Sequence, residues 1–99
     1  ENMRVEIKDL RVACEKVLSH LEDAGTDFVE IPYDYYWIIP EKQRYNLNND
    51  PDVSQFVLGQ LSDDLESLRG IVNGSSPPVA YALVWIAQQF IVIGEKIVK

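Results

Sequence analysis

The sequence predicts one α+β domain: a long N-terminal helix, a small antiparallel β-sheet of two or three strands, a short helix and a long buried C-terminal helix. Two patterns carry this prediction. Apolar residues repeat with helical spacing near both ends of the chain, and an aromatic, β-branched stretch lies between them. A chain of 99 residues can bury a core of ordinary size. We therefore expect residues 1–99 to form a single domain.

The N-terminal helix is predicted over residues 3–24. Its apolar residues follow an unbroken 4-3-4-3 spacing, which places them on one stripe of an α-helix. The stripe consists of Met3, Ile7, Leu10, Cys14, Val17, Leu21 and Ala24. We expect the Cys14 thiol to be buried and structural, since apolar surroundings suppress the reactive thiolate. Gly25 follows as a left-handed C-cap.

The stretch over residues 28–40 is typical of a strand, and Pro32 favours an edge position or a bulge there. Alternate residues of a strand share a face. The more apolar set is expected to pack on the helices: Val29, Ile31, Tyr33, Tyr35, Trp37 and Ile39. This parity leaves Asp34 and Tyr36 on the more open face. Residues 43–47 and 53–58 are interpreted as two shorter strands.

The short helix is predicted to begin at Ser62, whose side chain suits an N-cap position. Asp63 and Asp64 would then lie in the first turn, where the helix dipole favours acidic residues. Apolar residues with helical spacing continue to residue 72, and Asn73-Gly74 ends the helix.

The C-terminal helix is predicted from Pro77, capped by Ser76, to about residue 98. It is apolar almost all round, so we expect it to be buried, with Ala87 and Phe90 in the core. Residues 79–94 are short for a bilayer span, which takes about 20 residues, and no membrane association is expected. A seam of small residues would permit a homo-oligomer through this helix: Ala80, Ala87 and Gly94.

Composition excludes several kinds of function. Nine Lys and Arg stand against 16 Asp and Glu, which gives a net charge of −7 and disfavours nucleic acid and anionic membranes as partners. One cysteine and one histidine exclude an internal disulfide and a multi-cysteine zinc site. We predict no catalytic residue, cofactor or metal. The lone cysteine and the polar N-terminus favour a cytoplasmic protein.

The residues that favour a binding function lie in two segments. Exposed Tyr and Trp are favoured at protein interfaces, and the aromatic run around Tyr36 is too dense for one small core. The alternative for this run is that both faces of the strand are covered, one by each helix layer, so that its aromatic residues are core. The predicted partner-binding residues are Asp34, Tyr36, Trp37, Gln60, Asp63 and Asp64. The leading hypothesis is a non-enzymatic protein-interaction module with an unidentified protein partner. The alternative is a small enzyme or ligand-binding domain that uses an Asp/Tyr pocket.

Two sequence segments carry a family resemblance. Asp34-Tyr35-Tyr36-Trp37-Ile38-Ile39-Pro40 and Gly59-Gln60-Leu61-Ser62-Asp63-Asp64-Leu65 resemble a group of short uncharacterised bacterial proteins, which carry a DYYW-x-IP segment followed by a GQLSDD segment. The resemblance implies a bacterial, intracellular setting and brings no activity with it. An accessory role, or an immunity or antitoxin-like one, fits the physical class. Both segments are unusual for plain core or plain surface, so we expect them to meet in space.

Overall fold

A computed structural model describes residues 2–48 and 50–97, and the chain divides into two compact units, Glu1–Glu30 and Ile31–Lys99. The first unit contains one helix, α1 (Ile7–Asp23). The second contains, in chain order, β1 (Tyr35–Ile38), α2 (Glu41–Arg44), a 3₁₀ turn (Val53–Gln55), β2 (Val57–Gln60), α3 (Leu61–Val72) and α4 (Ala82–Ile97). These elements confirm the α+β class.

Helix α1 ends at the predicted C-cap. Gly25 has φ +89°, its N–H donates to the Glu22 carbonyl, and the Thr26 N–H donates to the Leu21 carbonyl. This is a Schellman motif, which satisfies the last carbonyls of the helix. The expected burial of Cys14 is wrong, because its side chain is exposed and none of the described residues of α1 is buried. Within its own unit a single helix has no second element to cover its apolar stripe.

The second unit is built on an antiparallel hairpin and a helix pair. β1 pairs with β2, and α3 follows β2 without a loop and packs against α4. The buried apolar side chains of the described residues are Leu61, Ala82 and Val92. Leu61 thus joins the hairpin to the helix pair, because it directly follows the last residue of β2.

The strand predictions over residues 43–47 and 53–58 need correction. Glu41–Arg44 forms a helical turn instead, and the Pro40 carbonyl accepts from the N–H groups of Gln43 and Arg44. Residues 53–55 form a 3₁₀ turn, whose Ser54 N–H is capped by the Asp52 carboxylate, and the strand begins only at residue 57. Local hydrogen bonds to the Pro40 carbonyl and the Asp52 carboxylate therefore stabilise turns here, despite the β-propensity of these segments.

The last helix begins later than predicted, at Ala82. Pro77 precedes a second proline, and the clash between a proline ring and the preceding residue disfavours helical backbone at Pro77. The expected burial of Ala87 and Phe90 is also wrong. Ala87 is exposed, and Phe90 keeps 40% of its surface exposed. The buried position of the whole helix is not confirmed.

A polar side chain lies on the α4 face that packs on α3. The Gln89 amide donates to the Leu61 carbonyl at 3.0 Å. Because α4 is apolar almost all round, hydrophobicity alone does not select the face that packs, and this hydrogen bond favours the observed one. Among the described residues, no helix is both long enough and apolar enough to span a bilayer.

Candidate functional site

The β1–β2 hairpin and the first turn of α3 bring the two unusual segments together, as predicted. The register pairs Tyr36 with Gly59 and Trp37 with Leu58. Residues opposite each other in an antiparallel pair point to the same face of the sheet. Tyr36 therefore lies on the face turned towards α3, whereas Tyr35 and Trp37 lie on the other. This reverses the strand parity expected from the sequence.

The Asp34 carboxylate holds the start of α3. It accepts from the Ser62 N–H at 2.7 Å, from the Ser62 hydroxyl at 2.8 Å and from the Gln60 amide at 2.9 Å. The Leu61 N–H also donates to the Asp34 carbonyl, at 2.6 Å. Ser62 is therefore not the N-cap: α3 begins at Leu61, and Gln60 in the cap position makes no side-chain cap. The cap comes from a residue 28 positions earlier.

These contacts stabilise the charged form of Asp34. The hydrogen bond from the Gln60 side chain, followed by the bonds from the Ser62 backbone and hydroxyl, lowers the pKa of the Asp34 carboxyl from its ordinary value of 3.8. A negative charge at this position also interacts favourably with the N-terminal end of the α3 dipole.

A second contact joins the hairpin to α3. The Tyr36 hydroxyl donates to the buried Asp64 carboxylate at 2.5 Å. Burial, and then the hydrogen bond and charge of Asp64, raise the pKa of the Tyr36 phenol well above its usual 10. The Tyr36 ring lies directly over Gly59, where a Cβ atom would overlap the ring carbons. Glycine at that position is what lets the ring reach Asp64.

The opposite face of the hairpin carries large exposed side chains. Tyr35, Trp37 and Leu58 are 62%, 61% and 58% exposed, and we call these three residues the aromatic face. The Trp37 ring also packs against the Phe56 ring, with centroids 6.4 Å apart and planes tilted by 56°. Such an aromatic pair restrains the indole before any partner arrives.

The predicted site residues thus separate into two groups. Asp34, Tyr36 and Asp64 take part in the hydrogen bonds that fasten the hairpin to α3, and the Gln60 amide donates to the Asp34 carboxylate within the hairpin. Trp37 lies on the aromatic face, and Asp63 is exposed in the first turn of α3.

Sequence reasoning missed Tyr35 and Leu58, because it assigned the strand parity by hydrophobicity. Gly59 carried the missing signal, since a glycine inside a strand marks a close approach by another group.

The acidic residues do not form an Asp/Tyr pocket in the described cavities. One cavity, of about 230 Å³, lies beside α2, and its lining includes Gln43, Asp52 and Gln55. The other lies along α1, between Val12 and Asp23. In residues 2–48 and 50–97, no three His, Cys, Asp or Glu side chains are grouped so that they could hold a metal ion.

Comparisons with known proteins bring no further support for a function. The chain matches no protein-family model, no curated protein and no solved structure. The resemblance to short bacterial proteins with DYYW-x-IP and GQLSDD segments stays a prediction.

Proposed function

We propose that this chain is a non-enzymatic protein-interaction module that binds a partner protein through the aromatic face of its hairpin. The observation that carries the proposal is the exposure of Tyr35, Trp37 and Leu58 together on one side of a two-stranded sheet. Aromatic side chains are enriched among residues that dominate binding energy, since each buries a large area at low cost in conformational entropy.

The hydrogen bonds behind the aromatic face support this role. Tyr36 bonds to Asp64, and Asp34 bonds to Ser62, so the hairpin is fastened to α3 from its inner side. A surface that is already ordered loses less conformational entropy on binding, and more of the contact energy then appears as affinity.

Charge indicates which partners fit. The carboxylate of Asp34 lies at the Tyr35 end of the hairpin, and exposed Asp63 lies in the adjoining first turn of α3. Lys and Arg on a partner would complement these acids, and the excess of acidic residues in the whole chain would speed their encounter. We therefore propose a partner that presents an apolar pocket flanked by basic residues. An accessory, immunity-type or antitoxin-like role in a bacterial cytoplasm is compatible with such a partner.

The test is affinity capture from bacterial lysate with three versions of the chain: native, Trp37→Ala and Tyr45→Ala. Tyr45 is the matched control, because it is an aromatic residue 72% exposed and outside the aromatic face. We expect native protein and Tyr45→Ala to retain the same partner. Trp37→Ala should weaken binding of the purified partner by about 2 kcal/mol or more, as expected of an interface anchor. Equal binding by all three versions would exclude the aromatic face as the binding surface.

A further inference from the structure

The hydrogen-bond pattern of the hairpin determines which backbone groups of β1 face away from β2. The Leu61 N–H donates to the Asp34 carbonyl at 2.6 Å, one step beyond the first pair of the strand register. Opposite pairs along an antiparallel ladder alternate between bonded and non-bonded. The N–H and C=O groups of Tyr36 therefore bond to β2, whereas those of Tyr35 and Trp37 point away from it.

The outward groups of β1 form an open sheet edge. Among the described residues, no backbone group outside the hairpin bonds to the backbone of Tyr35 or Trp37, and both residues are more than half exposed. The edge ends at Ile39, whose carbonyl accepts from the Arg44 guanidinium at 2.9 Å. β1 itself has no charged residue, proline or bulge, which are the features that commonly block strand addition. This edge is therefore a template for one more strand.

The opposite edge, along β2, is less open. Gln60 is the N-cap of α3, and the carbonyl of an N-cap residue accepts the first hydrogen bond of its helix. At the other end of β2, the Phe56 N–H donates to the Val53 carbonyl. Within β2, Leu58 is left with both of its backbone groups directed outwards and free of these contacts.

We propose that β1 accepts an extended basic segment of the partner protein as a third, antiparallel strand. In strand addition, main-chain hydrogen bonds give affinity and alternate side chains give specificity. Residues of the added strand opposite Tyr35 and Trp37 would place their side chains beside the aromatic face. The inference rests on the proposed function, because the added strand contacts that face, and it names the form in which the partner binds.

Charge indicates a basic partner rather than a second copy of this chain. Two copies would each carry a net charge of −7 and repel one another. The Asp34 side chain lies on the same side of the strand as Tyr36, and its carboxylate would attract Lys or Arg at the alternate positions of an added strand. The segment that fits is therefore one in which apolar and basic residues alternate.

The first test adds a synthetic peptide of alternating lysine and valine, blocked at both ends, to the full chain and follows amide hydrogen exchange by NMR. In the free chain we expect the Tyr35 and Trp37 amides to exchange faster than the Tyr36 amide, which is paired with β2. The peptide should slow exchange at Tyr35 and Trp37. The Leu58 amide is the internal control, because it lies on the opposite edge and should keep its rate.

Modified peptides test the hydrogen bonds and the charge. In an antiparallel pair, the valines opposite Tyr35 and Trp37 donate their N–H groups to β1, and the lysine N–H groups face away. Methylation of the valine nitrogens should abolish the protection, whereas methylation of the lysine nitrogens should preserve it. A peptide with glutamate in place of lysine should give no protection, because it has the same charge as the chain.

The second test separates strand addition from the aromatic contact. Tyr35→Pro and Tyr35→Val both remove the phenol ring, but proline also removes the outward N–H. That N–H lies outside the β1–β2 ladder, and proline is compatible with an edge strand at such a position. We expect Tyr35→Pro to bind the lysine–valine peptide about tenfold more weakly than Tyr35→Val does.

Several results would overturn the proposal. Equal affinity of the two Tyr35 variants would exclude strand addition and leave the aromatic face as a binding surface, which capture with Trp37→Ala tests separately. Protection of Leu58 instead would place the added strand on β2. Protection of Tyr35 and Trp37 that increases with the concentration of the chain alone would mean that a second copy occupies the edge. No protection by the lysine–valine peptide would exclude a basic strand as the occupant.

Discussion

At the scale of single residues, the contact between Gly59 and Tyr36 decides which way the hairpin faces. The Tyr36 ring covers Gly59 and ends in a hydrogen bond to Asp64, so it has little freedom to move aside. The next pair in the register, Trp37 and Leu58, consequently points to the outer face of the sheet.

The first prediction concerns Gly59→Ala. The added methyl group would overlap the Tyr36 ring, and relief requires either a ring shift that breaks the bond to Asp64 or a local opening of the hairpin. We expect a loss of about 1–3 kcal/mol in the free energy of unfolding. Urea denaturation measures it. Gly94→Ala is the control, because no atom beyond the adjoining residues and the backbone of its own helix lies within 4 Å of its Cβ position, and alanine is more favourable than glycine in a helix interior by about 1 kcal/mol. A stable Gly59→Ala protein would contradict the observed ring position.

The second prediction concerns Tyr36→Phe. This change removes the hydroxyl that donates to the buried Asp64 carboxylate and leaves the ring in place. A buried acceptor that loses its partner costs about 1–3 kcal/mol, so we expect a decrease of that size in the free energy of unfolding at neutral pH. Tyr45→Phe, at an exposed phenol, should change it by about 0.5 kcal/mol or less.

The same phenol predicts a loss of stability in alkali. The pKa of Tyr36 is higher in the folded chain than in the unfolded chain, so its contribution is complete below about pH 10. As the pH rises beyond that value, the unfolded state gives up the proton first and the folded state loses its advantage. We expect the free energy of unfolding to fall more steeply above about pH 10 in the native chain than in Tyr36→Phe. Identical slopes would show that the phenol is not held neutral by its surroundings.

Prediction from sequence succeeded where a feature depends on nearby residues and failed where it depends on residues distant in the chain. The Gly25 cap was predictable, because a left-handed C-cap depends on one local residue. The meeting of the two motif segments was predictable as well. The strand parity was not, because both faces of β1 carry aromatic side chains and the choice depends on Gly59 in another strand. The Asp34 cap lies 28 positions from Ser62, beyond the reach of any local capping pattern.

At the scale of elements, α3 depends on β1 for its first turn. The unpaired N–H groups at the start of a helix need acceptors, and here the Asp34 side chain and carbonyl supply them from outside the helix. The hairpin and α3 therefore act as one structural unit.

The third prediction tests this dependence with Asp34→Ala. We expect the variant to unfold at lower urea concentration than Asp63→Ala, because Asp63 is exposed in the same turn and makes no comparable cap. The lowered pKa of Asp34 adds a pH dependence. Its contribution is complete above the ordinary value of 3.8 and disappears as the pH falls through the lower folded value. Asp34→Ala should lack this acid-side loss, and an unchanged acid profile would contradict the cap.

At the scale of the whole molecule, charge is unbalanced and little paired. The chain has a net charge of −7, and the ion pair found among the described residues joins Arg4 to Glu6 at 2.5 Å on the surface. Repulsion between like charges destabilises a compact state, and salt screens it. Salt also weakens attractive ion pairs, but few of these are present among the described residues, so the relief of repulsion should dominate.

The fourth prediction follows from this balance. Added sodium chloride should raise the free energy of unfolding, by about 1 kcal/mol or less, as screening relieves the excess negative charge. Thermal unfolding at several salt concentrations measures it. Arg4→Ala removes the surface ion pair and should leave the salt response nearly unchanged. A decrease in stability with salt would mean that attractive charge pairs outweigh the repulsion.

The remote cap has a practical consequence for engineering the chain. Asp34 and Ser62 close a loop whose ends stay fixed, and within it the Gln43 side chain accepts from the Asp52 N–H. Loop-closure entropy grows slowly, by about 0.6 kcal/mol for each doubling of length. Leu47 and Asn48 are exposed on this loop. A reporter peptide inserted between them would extend the connection without loosening the ends, and would leave the aromatic face free.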